Sequence, residues 1–119
     1  MISESILDSI KKDLGIDPSC NDFDSTIINH INSAFMTLNQ LGVGPEKGYR
    51  IKNNSNEWKE YFKEEDNIDA VKDYIYLKVK MIFDPPINGS VIESYKQQIQ
   101  ELEWRLMIKG DERHEWGTL

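Results

Sequence analysis

The sequence predicts an all-α domain: a small bundle of four main helices, one short helix, and a long loop between helices two and three. Three observations carry that expectation. Apolar residues recur three and four apart through most of the chain. Turn-forming residues fall between those stretches rather than inside them. One run, Ile68 to Pro86 (IDAVKDYIYLKVKMIFDPP), is apolar enough to be the middle of a bundle. At 119 residues the chain has material for one domain and one core.

Helix one is expected over about Ser3 to Leu14. Ile6, Leu7, Ile10 and Leu14 recur at helical spacing, Glu4 suits the positive N-terminal end, and Lys11 and Lys12 suit the last turn. Gly15 is the left-handed terminator, and Asp17-Pro18-Ser19 is a turn. Helix two is expected over about Asp24 to Leu41, with a stripe of Ile27, Ile28, Ile31, Ala34, Phe35, Leu38 and Leu41. Asp22 or Asp24 can cap it and Gly42 ends it. Gly42 to Asn56 (GVGPEKGYRIKNNSN) is the one long irregular segment, and a loop of that length in a compact domain points to function. Tyr49-Arg50-Ile51 within it has the composition of a short strand or hairpin arm.

A short helix follows at about Glu57 to Lys63, with Trp58, Tyr61 and Phe62 on one side. Glu64 to Asn67 is a polar break, with Asp66 or Asn67 capping the central helix. On that helix Asp69, Lys72, Asp73 and Lys80 cluster within about a third of the circumference. Ile68, Ala70, Val71, Tyr74, Ile75, Leu77, Val79, Met81 and Ile82 fill most of the rest. The run is too long for a strand, and Pro85-Pro86 stops it by steric clash and a missing donor. Asn88-Gly89 turns the chain. Ser90 and Glu93 then have the spacing of a capping box for a last helix from about Val91 to Lys109. Its seam of Ile92, Tyr95, Ile99, Leu102 and Leu106 is narrow and heptad-like, suited to one neighbour. Gly110 is expected to end it. Residues 1–110 thus form the helical domain and 111–119 (DERHEWGTL) a C-terminal tail or arm.

Composition narrows the function. Charged residues are 29% and hydrophobic ones 39%, slightly polar for a self-contained globule. The net charge of −7 opposes phosphate binding. The single cysteine, Cys20, allows no internal disulfide, and no Cys pair is spaced for zinc. The opening MISESILDSIKKDLG lacks the basic and long apolar regions of a signal peptide, and no stretch has the length of a membrane span. A cytosolic protein, or one assembled in a cytosol, is expected, without a membrane partner.

No reactive constellation stands out, so no enzyme, cofactor or metal is expected. His30 lies beside the apolar stripe of helix two, and His114 has no spaced partner. Cys20 has no local base to make a thiolate. Gly42 and Gly44 precede no phosphate-loop lysine. The pairs Glu64-Glu65 and Asp111-Glu112 read as solvated charge. Lys78 breaks pattern: it falls inside the apolar arc of the central helix. Either its stem packs while its ammonium reaches water, or it meets a carboxylate of a neighbouring subunit. Trp58 reads as core. Trp104 points away from the seam, so it covers a second neighbour or is exposed. An exposed tryptophan marks a contact site. Trp116 cannot belong to the helical core.

Three stretches, LNQLGVGP (Leu38 to Pro45), YIYLKVKMIFDPP (Tyr74 to Pro86) and IQELEWRL (Ile99 to Leu106), resemble the small head–tail connector, or adaptor, proteins of long-tailed phages and Firmicutes prophages. The likeness spans roughly Ser3 to Leu106 and is structural rather than catalytic. It implies a helical adaptor joining as about a dozen copies beneath the portal. That ring would support the next one, the stopper or head-completion protein, while DNA passes through the lumen without specific binding. It places the protein in the virion at the head–tail interface, and in the host cytoplasm during assembly. It implies a portal-binding arm within Arg105 to Leu119, with Trp104, Arg105, Arg113, His114, Trp116 and Leu119 as contacts. It also implies a ring or tail-side loop at Gly42 to Asn56, with Val43, Tyr49, Arg50 and Ile51, joined by Lys78. Glu64, Glu65, Asp66 and Asp69 are candidates for the lumen wall, where negative charge would repel phosphate. The competing reading from another class is a small cytosolic helical module that sequesters a basic partner.

Overall fold

Among the described residues, five helices form in the order α1 (Ile6–Asp13), α2 (Asp24–Gln40), α3 (Trp58–Tyr61), α4 (Ile68–Phe83) and α5 (Gly89–Arg113). This is a computed structural model, and it describes residues 4–62 and 68–113. The expected all-α bundle is what forms, and among the described residues there is no strand. An isolated bridge joins Ser5 to Glu57.

The apolar run becomes α4, which lies between α2 and α5 and packs on both. Val71, Tyr74, Ile75, Leu77 and Val79 are its buried side chains. Of these, Val71, Tyr74, Ile75 and Val79 share one core with Ile27, Ile31, Ala34, Phe35 and Leu38 of α2 and Leu106 of α5. The Tyr74 hydroxyl donates to Glu103 Oε2 at 2.7 Å, tying α4 to α5 through a phenol that burial and the Glu103 charge hold well above its ordinary pKa. Helix α4 ends at Phe83, before the diproline, and Lys80 pairs with Asp84 in its last turn.

Glycine ends α1 and α2 in the same way. After α1, Gly15 adopts φ 80°, its amide reaches Lys12 O at 3.0 Å, and Ile16 N reaches Lys11 O at 2.8 Å. After α2, Gly42 adopts φ 83°, Gly42 N reaches Asn39 O at 3.0 Å, and Val43 N reaches Leu38 O at 2.9 Å. This double reach-back satisfies terminal carbonyls and turns the next apolar residue inward. Val43 enters the core that way.

Three terminators differ from expectation. No side chain caps α2 at its start; the Asp24 carboxylate turns back to Lys11 instead, at 2.8 Å. Helix α5 is capped by Asn88, whose Oδ1 accepts from Ser90 N at 2.8 Å and Val91 N at 3.3 Å, so Ser90 and Glu93 form no box. The capping box lies at α3, between Glu57 and Glu60. At the far end α5 runs through Gly110 to Arg113. The proposed caps of α4, Asp66 and Asn67, lie outside the described residues.

The loop from residue 42 to 56 is held closely. Asn32 of α2 accepts from Ile51 N at 2.7 Å and donates to Ile51 O at 3.0 Å. One side-chain amide thereby gives Ile51 the two bonds a neighbouring strand would supply, although Tyr49-Arg50-Ile51 is not part of a sheet. Asn56 Oδ1 accepts from Lys52 N at 2.8 Å. The loop's exit is sewn to α1: Ile6 N donates to Asn56 O at 3.0 Å and Trp58 N to Glu4 O at 3.1 Å. We predict that Asn32→Ala costs about 1–3 kcal/mol, because it strands both polar groups of a buried residue. Hydrogen exchange at the Ile51 amide, checked by NMR, should accelerate far more than exchange in α4.

Candidate functional site

The residues expected at a ring or tail-side contact separate into two groups. Val43 and Ile51 are core, at 9% and 2% exposure, so their side chains offer almost nothing to another chain. Tyr49 is half-buried in an aromatic cluster, 5.1 Å from Phe35 and 5.6 Å from Tyr61 between ring centroids. Its hydroxyl donates to Glu60 Oε1 at 3.0 Å, and burial first, then Glu60, raise its pKa far above the ordinary value. Arg50, between them, is exposed and makes no ion pair among the described residues. Lys78 is half-buried, its ammonium 5.9 Å from the centroid of the Tyr74 ring, so its stem packs as a long amphipathic side chain can.

On the expected arm, Trp104 is 60% exposed, and Met107, one turn on, is exposed as well. Arg105 is exposed and paired with Glu101. Helix α5 carries the backbone to Arg113, but the Arg113 side chain, and all of His114, Trp116 and Leu119, lie outside the described residues, as do Glu64, Glu65 and Asp66. Trp58 is core, as expected, with its indole N–H on Ser9 Oγ at 2.9 Å.

Two features escaped the sequence. The first is Lys11, 1% exposed, whose ammonium donates to Pro18 O at 3.0 Å and Cys20 O at 2.7 Å and pairs with Asp24. It fastens the α1–α2 turn. The second is a groove of about 420 Å³ between α4 and α5. Asp73, Tyr76 and Leu77 form one wall, and Tyr95, Leu102 and Arg105 the other. The Asp73 carboxyl is held above its ordinary pKa by burial, then by Asp69 and Asp13. The sequence signal was present but small: Asp69 and Asp73 are like charges one turn apart on one helix.

The sign of that shift gives a prediction. A carboxyl with a raised folded pKa is tolerated best when protonated, so its cost to stability grows as pH rises through the folded value. Asp73→Asn should raise Tm at pH 7 by roughly 1–3 °C, a small gain because the site is open to solvent. The gain should vanish near pH 3, where wild type is protonated too; thermal melts at both pH values check it.

Among the described residues, no group of three or more His, Cys, Asp or Glu side chains could hold a metal ion. No helix among them is long and apolar enough to cross a membrane. What the molecule offers is surface: a rigid loop, an acidic groove, and an exposed tryptophan on its longest helix. A family model described as phage connector protein matches residues 6–113. The chain belongs to the phage connector family. No curated protein matches it, and no solved structure matches it. The connector's matched region runs from the first residue of α1 to the last residue of α5. Membership makes it a structural part of a phage that meets other head or tail components.

Proposed function

We propose that this connector is the adaptor ring beneath the portal, about a dozen copies arranged head to tail. It joins the DNA-filled head to the tail, carries the stopper or tail protein on its other side, and lets DNA through. The observation that carries this reading is the exposed pair Trp104 and Met107 on α5, a helix that continues to Arg113. Large apolar side chains on an outer helix face, with a tryptophan among them, are what a protein–protein anchor needs. Residues 111–119 serve as the portal-binding arm, of which α5 is the rigid base. The net charge of −7 suits a wall past which a polyanion must slide. The finished particle, at the head–tail junction, is where it resides, after assembly in the host cytoplasm.

Mixing the connector with its cognate portal ring and imaging the product by electron microscopy tests this. A second ring, one connector per portal subunit, is the expected result. Trp104→Ala should leave stability within about 0.5 kcal/mol of wild type, as surface substitutions do, yet weaken portal binding roughly thirtyfold or more. Full binding by the variant, or attachment of single copies without a ring, would refute the reading.

A further inference from the structure

We propose that the α4–α5 groove receives an arginine side chain from a second copy of the connector, and that Arg50 is that side chain. This deepens the ring reading and rests on it. The groove has the chemistry of a guanidinium receptor. Asp73 supplies a carboxylate that makes no ion pair among the described residues. The cation already in the groove, Arg105, is engaged by Glu101 and leaves Asp73 uncompensated. Tyr76 and Tyr95 bring aromatic rings, one from each wall, on which a planar guanidinium stacks. Leu77 and Leu102 give apolar surface for the stem of the incoming side chain. Lysine would gain the charge contact but lacks the planar fork that stacks and bonds at once.

The occupant follows from what the chain presents. Its arginines are Arg50, Arg105 and Arg113. Arg105 already lines the groove, and Arg113 lies at the end of the same helix. Arg50 alone is on another face, anchored to α2 and α3 through its neighbours. Ile51 is clamped by Asn32, and Tyr49 is fixed by Phe35, Tyr61 and Glu60. A side chain launched from a fixed backbone loses little extra freedom on docking. Donor and receptor are therefore different surfaces of one chain, which is the requirement for a head-to-tail ring. The contact also sets opposite charges against each other in a chain whose copies otherwise repel.

The test is a charge swap in the full-length connector, read by native mass spectrometry and sedimentation velocity, alone and on the portal ring. Asp73→Asn, Asp73→Arg and Arg50→Glu should each weaken association between copies about tenfold or more. The double variant, Arg50→Glu with Asp73→Arg, should recover it. Mixing the two single charge-reversal variants should restore association with the two alternating, since residue 50 of each is opposite in charge to residue 73 of the other. Asp73→Asn is the decisive variant, because it should stabilise the monomer while weakening the assembly, which a folding defect cannot do. Association that is indifferent to these changes, or a double variant no better than the singles, overturns this contact and leaves the ring standing. Copies that never associate, even on the portal, overturn both.

Discussion

Lys11→Met is expected to destabilise the connector by about 2–4 kcal/mol, lowering Tm by roughly 10–15 °C. Methionine fills the volume, so the loss isolates the ammonium. Its removal strands two backbone carbonyls, Pro18 O and Cys20 O, and leaves the Asp24 carboxylate without its cation. Asp24 begins α2, so the α1–α2 turn and the first turn of α2 should loosen together. Lys12→Met is the control. Lys12 is exposed on the same helix end with the same charge, and its loss should change stability by about 0.5 kcal/mol or less. Urea unfolding of both variants measures the difference. Equal midpoints would mean that the buried ammonium contributes nothing beyond its stem.

Trp58→Ala should cost about 3–5 kcal/mol, the range for emptying a buried aromatic site. Trp58 is fully buried, stacks on Phe62 at 5.8 Å, and meets Phe35 at 6.4 Å between ring centroids. Lys72 stands over its ring at 5.4 Å. A domain of this size has only about 5–15 kcal/mol in hand, so the variant should be partly unfolded at 37 °C. Trp58→Phe keeps most of the volume and loses the bond to Ser9, and should cost about 1–2 kcal/mol. Circular dichroism melts separate the two contributions.

The helices were legible because periodicity is a local signal. The apolar run, its stop at the diproline and the glycine ends of α1 and α2 all follow from residues within a turn of one another. What escaped depends on partners far along the chain. Lys11 has the sequence look of any cation in a last helical turn, and only the folded-back Pro18-to-Asp24 segment makes it a buried fastener. Ile51 reads as strand, yet its backbone partner is the side chain of Asn32, nineteen positions away. Ser90 and Glu93 have the spacing of a cap, but Asn88 reaches the amides first. Gly110 reads as a stop, yet helical bonding continues across it to Arg113. Of the candidate surface, the outward aim of Trp104 could be read from helical phase alone. The groove could not, since its walls belong to two helices whose register only packing determines.

The seam between residues 4–6 and 56–58 has a consequence for how the protein is made. It closes a span of about fifty residues, a slow kind of contact, as is the packing of α4 on α1 and α2. During translation the first helix has no finished berth until Trp58 clears the ribosome. The N-terminal third of the nascent chain must therefore wait, greasy side outward, for a tryptophan synthesised several seconds later.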